Sequence, residues 1–246
     1  MKFNLAAVFT VAISVAMATE SKLKPSGFKY NRLDKDKAVL LIVDHQIGLM
    51  HLVRDQHPDV FRQNILAHSA IATVFDLPVV LTTSAETGPN GPLPAEIVAQ
   101  HPNAPLIRRN GEVNAWDNKD FRTAVAATGR TQVILGGIVT DVCTAFLALS
   151  LIEEGYEVYA NTEASGTMDQ KLADDANNRM RAAGVQTMGL FAITLELMRD
   201  WRNKPGAEEL FPYFDKYMTP FSNLVRGHYA AYINGTVFPG EDKLPY

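Results

Sequence analysis

Cysteine is almost missing from this chain. Cys143 is the only one in 246 residues, so no disulfide can close within the chain and no metal site can be built on several thiolates. Concentrated positive charge is missing too. Lys and Arg number 23 against 27 Asp and Glu, for a formal net charge of −4, and no basic run is longer than Arg108-Arg109. Nothing resembles the basic stripe that nucleic acid selects, so no nucleic-acid partner is expected. No glycine-rich phosphate loop opens a helix, and none of His45, His51, His57, His68, His101 and His228 shows ligand spacing. The expectation is therefore no nucleotide cofactor and no metal. What the chain does have is apolar residues, 47% of the total, enough to bury a substantial core and to exclude a disordered tail protein.

The longest apolar stretch comes first. Met1 and Lys2 make a short positive start, Leu5 to Met17 is apolar or small throughout, and Ala16-Met17-Ala18 fits a small-x-small cleavage site. About 13 helical residues rise only about 20 Å, short of the roughly 30 Å of a bilayer core. Residues 1–18 therefore read as a secretory signal peptide, with a secreted mature chain from Thr19 that has no membrane segment. Asn234-Gly235-Thr236 is a single N-glycosylation sequon in a turn-like stretch, which makes Asn234 a candidate glycan site. A lone thiol in an oxidising compartment invites a chemical explanation, although a free cysteine is often just a small core residue.

After a polar connector over residues 19–33, strand and helix signals alternate. Ala38 to Val43 is a continuous apolar run ending on Asp44, the pattern of a fully buried parallel strand. Shorter runs follow at Pro78 to Thr82, Pro105 to Arg108, Gln132 to Gly136, Glu157 to Ala160 and Val185 to Phe191. Between them the spacing predicts helices over Asp59 to Phe75, Asp117 to Thr128, Cys143 to Glu154 and Asp169 to Ala183. The predicted fold is a three-layer α/β/α sandwich with a mainly parallel sheet of about six strands, covering residues 34–204. Residues 205–246, rich in Tyr and Phe, form an extension that packs on the domain or on a neighbouring subunit.

Ligands of open parallel sheets bind beyond the carboxyl ends of the strands, so chemistry is sought there. Asp44 ends the first strand, Thr83 and Ser84 the second, Arg109 the third, and the fourth leads through a turn to Cys143. A cysteine that opens a helix is expected to have a lowered thiol pKa, with Arg109 acting in the same direction. Asp44 is placed to take the thiol proton and pass it on. Singly, Asp44 reads as a turn cap, Arg109 as an ion-pair partner and Cys143 as a core residue; their joint place on successive strand ends argues for a site.

Four segments carry a resemblance that spans residues 30 to the early 220s: Leu40-Leu-Ile-Val-Asp-His-Gln-Ile-Gly-Leu49, Thr82-Thr-Ser-Ala-Glu-Thr-Gly-Pro-Asn-Gly-Pro-Leu93, Gly137-Ile-Val-Thr-Asp-Val-Cys-Thr144 and Leu197-Met-Arg-Asp-Trp-Arg-Asn203. With Asn114-Ala-Trp-Asp-Asn118 they resemble the isochorismatase-like hydrolase superfamily, and within it the YcaC-type cysteine hydrolases. The resemblance implies a triad of Asp44, Arg109 and Cys143, a cis peptide at Ile138–Val139, an oxyanion hole from the N–H groups of Val139 and Cys143, and a homo-oligomer. Most amidases of the superfamily have lysine where Arg109 stands. Arginine keeps its proton, so proton transfer falls to Asp44. The Asp-x-His metal motif of the nicotinamidases is replaced here by Ser84-Ala-Glu86, and Thr83, Glu86, Asn90 and Trp116 are candidates for the substrate pocket. The function expected is cofactor-free hydrolysis of an amide-like C–N bond in a small molecule through a thioester. The alternatives are isochorismate-type vinyl ether hydrolysis, which does not use the cysteine, and a non-catalytic secreted effector or binding protein on the same scaffold.

Overall fold

The computed structural model describes Gly27 and residues 29–234. The expected signal peptide, most of the connector, and Gly235 and Thr236 of the sequon lie outside the described residues. β1 (Ala38–Val43) is buried along its whole length. Its side chains alternate between two separate cores, as a period of two requires. Leu40 and Ile42 join a core with Phe61, Ile65 and Ile71, whereas Val39, Leu41 and Val43 join one with Phe121, Val125, Leu147, Leu151 and Met180. Two cores on opposite faces of one sheet make three layers.

The other strands are β2 (Val79–Ser84), β3 (Leu106–Arg109), β4 (Gln132–Gly137), β5 (Glu157–Asn161) and β6 (Gln186–Met188). They lie in the order β3-β2-β1-β4-β5-β6, every pairing parallel. This is the expected sandwich. Chain order reverses between β1 and β4, so their carboxyl ends diverge into the crevice where such sheets hold ligands. Val43, the last residue of β1, pairs with Thr82 on one side and Gly137 on the other. A Cβ on Gly137 would sit 2.8 Å from the Val43 carbonyl oxygen and 2.9 Å from Thr144 Oγ1, so only glycine lets the end of β4 approach β1 this closely.

α1 (Pro58–Phe75), α2 (Ala95–Gln100), α3 (Lys119–Ala127), α4 (Ala145–Glu153) and α5 (Gln170–Ala182) connect the strands. Local caps set several of these boundaries: Asn118 accepts from the Phe121 N–H at 3.0 Å and Asp169 from that of Leu172 at 3.0 Å. Two expectations are corrected. The predicted strand from Val185 to Phe191 is a three-residue β6 followed by α6 (Leu190–Met198), whose N-terminal N–H at Leu190 is capped by the Glu163 carboxylate from the loop after β5. The predicted helix from Cys143 is a π-helical turn over Thr140–Thr144, with α4 starting only at Ala145. The Thr144 N–H reaches back to the Val139 carbonyl at 3.2 Å, widening that turn.

In the C-terminal segment, α7 (Ala207–Tyr217) packs against α1. Leu210, Tyr213, Phe214 and Tyr217 are buried there, and the Tyr213 hydroxyl donates to the Ala67 carbonyl at 3.1 Å. Burial of a side chain such as Phe214 contributes about 1.5–3 kcal/mol, enough to hold the helix on the domain. α8 (Thr219–Asn234) leaves Leu224, Tyr229, Tyr232 and Ile233 exposed. Asn234 is the last residue of that helix, where a turn had been expected.

Candidate active site

Asp44 follows β1 with a left-handed backbone, φ 54°, a conformation that aspartate tolerates better than most side chains. Its N–H is held by the Thr82 carbonyl at 3.0 Å, and its side chain is fully buried. Arg109 comes from the end of β3, two strands away. Strands lie about 4.8 Å apart, so the long side chain must cross β2 to reach β1. On the way Nε donates to Thr82 Oγ1 at 2.9 Å; Nη1 donates to the carbonyls of Glu112 and Val113, and Nη2 to Asp44 Oδ2. The ion pair is inaccessible to water on both sides.

Cys143 stands across the β1–β4 crevice on the π-helical turn and is partly exposed. The peptide before Val139 is cis, at the bond the resemblance implied. The Val139 N–H is directed at the sulfur. Asp44 Oδ1 is buried and has no well-formed hydrogen bond, yet the thiol is near enough for the carboxylate and the sulfur to shift each other's pKa. The sequence placed three residues on strand ends; the structure brings all three into one electrostatic unit.

The expected lowered thiol pKa is corrected. Burial, followed by the charge and hydrogen bonding of Asp44, pushes Cys143 up to about 12, against the smaller downward pull of Arg109 and the Val139 N–H. A helix dipole could not offset this, because the sulfur sits on a π-helical turn next to a carboxylate. Burial raises Asp44 above the ordinary carboxylate range, and Arg109 and the thiol only partly oppose it. The resting thiol is thus protonated and faces a carboxyl group of increased basicity.

Behind Asp44 lie two buried histidines that the sequence did not assign a role. His45 Nε2 donates to the Ala164 carbonyl at 2.7 Å; His68 Nε2 donates to the Leu41 carbonyl at 3.1 Å while its Nδ1 accepts from Asn161 at 3.2 Å. Burial lowers His45 to about 4 and His68 to about 3, so both are neutral at neutral pH and add no charge behind the carboxylate. Gln46 was also missed. Fully buried, it accepts from the Ser84 N–H at 2.8 Å and donates to the Ser84 carbonyl at 3.0 Å and to that of Gly91, fastening the loop after β2 to the end of β1. Its position two residues beyond the strand-ending aspartate was the available signal.

The pocket candidates separate. Thr83 donates to Glu86 Oε2 at 2.8 Å, Glu86 pairs with Arg108 at 3.1 Å, and Asn90 donates to the Ser84 carbonyl at 2.8 Å, so their polar groups brace the loop after β2. Trp116 is corrected: its ring packs edge-on against Phe121 and Tyr156, and Nε1 reaches Glu154. Glu154 and Tyr156 precede β5, which puts the indole toward the amino ends of the strands, opposite the triad. Among the described residues, exposed apolar side chains in the segments beyond the strands' carboxyl ends include Ile47, Val113 and Met168, each about half exposed. Val113 adjoins Arg109 through its carbonyl, and Met168 follows Thr167, whose hydroxyl donates to Asp141 of the nucleophile turn at 2.6 Å. A cavity of about 730 Å³ between α1, α6 and the α7–α8 corner is lined by none of Asp44, Arg109 and Cys143. Among the described residues no cluster of three or more His, Cys, Asp or Glu could hold a metal.

The family model for the isochorismatase domain matches residues 38–190, from β1 to the start of α6. A probable hydrolase, YcaC, of Escherichia coli K12 is 50% identical over 199 residues, 81% of this chain and 95% of that protein. The chain belongs to the isochorismatase family. It is an isochorismatase-like hydrolase of the YcaC type. The crystal structure of the E. coli YcaC gene product, an octameric hydrolase of unknown specificity, superimposes with a TM-score of 0.80 at 49% identity, covering 85% of this chain and 100% of that one. YcaC from Pseudomonas aeruginosa, solved with hexane-2,5-diol and covalent acrylamide, gives 0.79 at 50% identity, covering 81% of this chain and 98% of that one.

Proposed function

We propose that this isochorismatase-like hydrolase is a cysteine hydrolase that cleaves an amide-like C–N bond of a small, uncharged molecule. The observation that carries the reading is the buried Arg109–Asp44 pair whose second carboxylate oxygen is left for the partly exposed Cys143 thiol. As the sulfur attacks the carbonyl carbon, its proton passes to Asp44 and the S–C bond forms. The N–H groups of Val139 and Cys143 receive the developing oxyanion. Asp44 then returns the proton to the leaving nitrogen as the C–N bond breaks, leaving a thioester on Cys143. Water attacks that thioester with Asp44 again as base, releasing the acid and restoring the thiol. Arg109 holds its charge throughout and keeps Asp44 in place.

The preference for uncharged substrates rests on the site's charges. Among the described residues Arg109 is the one buried Lys or Arg, and it is already committed to Asp44, Thr82 and two carbonyls, while Ile47, Val113 and Met168 are exposed apolar residues of the segments around the strand ends. A dicarboxylate such as isochorismate would find that buried cation already paired. The covalent acrylamide in the P. aeruginosa relative supports a nucleophile open to a small amide. The octameric E. coli relative supports a homo-oligomer, to be checked by analytical ultracentrifugation, where a monomer would contradict it. The leader pattern supports secretion; N-terminal sequencing of the exported chain should begin near Thr19, and retention of Met1 would count against cleavage.

The test is a screen of amides, hydroxamates, carbamates and esters with Cys143→Ala beside the wild type. Turnover of an amide by the wild type, its loss in the variant, and an acyl mass increment on Cys143 are expected. Full turnover in Cys143→Ala would transfer the protein to chemistry that does not use the thiol, as in vinyl ether hydrolysis.

A further inference from the structure

We propose that Thr82 is a positioning residue for the reaction: through Arg109 Nε it sets where the guanidinium meets Asp44, and thereby how readily Cys143 reacts. This inference rests on the cysteine-hydrolase reading and concerns a residue that does not touch the sulfur. Thr82 lies on β2 between Val43 of β1 and Ile107 of β3, and it is fully buried. Its hydroxyl carries a single proton, which is donated to the Ile107 carbonyl at 2.9 Å. The oxygen is therefore left as an acceptor only, and Arg109 Nε donates to it at 2.9 Å.

That bond is the midpoint of a side chain reaching across a whole strand. The carbonyls of Glu112 and Val113 fix Nη1, Thr82 fixes Nε, and together they leave Nη2 on Asp44 Oδ2. With three anchor points the planar guanidinium has no rotational freedom. Remove the Thr82 acceptor and a buried N–H is left unpaired; the group must turn to find another partner, and Nη2 moves with it. Asp44 and Cys143 act on each other's ionisation, and the Arg109 charge favours the ionised form of both. A displaced guanidinium makes the doubly ionised pair harder to reach, so the thiol should alkylate more slowly and need higher pH.

The experiment measures alkylation of Cys143, the sole cysteine, by acrylamide with mass detection from about pH 6 to about pH 11, alongside thermal melting, in wild type, Thr82→Val and Thr82→Ser. Valine keeps the shape and deletes the acceptor, whereas serine keeps the acceptor. Thr82→Val is expected to react about tenfold more slowly than wild type along the rising rate–pH profile, and Thr82→Ser to return to within about twofold of wild type. If Thr82→Val does not fold, Thr82→Ala deletes the same acceptor with less crowding and serves in its place. A lowered melting temperature with an unchanged pH profile would make Thr82 a structural residue and overturn the proposal alone. A wild-type thiol inert at every pH would overturn the cysteine-hydrolase reading, and this inference with it.

Discussion

Replacing Asp44 with Asn should lower turnover by about a thousandfold while making Cys143 more acidic, a combination that most models of a cysteine enzyme would not give. The rate loss follows from removing the base, since a positioned general base contributes about 10²–10⁴-fold. The thiol shift has the opposite sign because, after burial, the Asp44 charge is the largest influence holding the thiol pKa up, and Arg109 then pulls it down unopposed. Thiolate thus becomes more abundant in the variant as catalysis falls. The check is steady-state turnover of an amide found in the screen, paired with a pH titration of Cys143 alkylation. If Asp44→Asn kept full activity, Asp44 would be a spectator; if its thiol became less acidic, the Asp44 charge would not be what holds the thiol pKa up.

Arg109→Met should be the most destabilising single change in the site. It leaves a fully buried carboxylate without its cation, and breaking a buried pair from one side costs about 3–5 kcal/mol. The deficit should depend on pH. A carboxyl whose folded-state pKa lies above its ordinary 3.8 favours the folded state in its neutral form, so stability is greatest below that value and is lost as pH rises through the folded pKa. Without Arg109 the upward shift of Asp44 grows, so urea denaturation should show a smaller gap from wild type in mild acid than at neutral pH. A gap that widens on acidification would mean that Asp44 is ionised and stabilised by some other group. Arg109→Lys, with one nitrogen in place of three, cannot hold Asp44, Thr82 and the two loop carbonyls together and should keep only part of the activity.

How much of this was legible beforehand follows from which forces are local. β1 could be read directly, because a strand buried on both faces must be continuously apolar, and Asp44 at its end marked the crevice. Arg109 and Cys143 followed from the rule that sites in such sheets lie beyond carboxyl ends. The strand signal from Val185 to Phe191 runs into the first two residues of α6 because the group that starts that helix, the Glu163 carboxylate, comes from 27 residues earlier in the chain. Trp116 was placed by its neighbours in sequence, but its ring turns toward Tyr156, a contact that appears only once α4 and β5 are packed. The acidity of Cys143 was misjudged for the same reason. A helix start is a local feature, whereas burial beside Asp44 is tertiary, and the tertiary influence is the larger.

The central claim is that the resting sulfur carries its proton and Asp44 removes it during attack. Ultraviolet thiolate absorbance, taken as the difference between wild type and Cys143→Ser across pH, tests this most directly. The expected difference spectrum is flat up to about pH 10, in keeping with a thiol pushed up to about 12. A thiolate step with its midpoint at or below about pH 7 would show that the proton is gone before any substrate arrives, and would leave Asp44 nothing to accept.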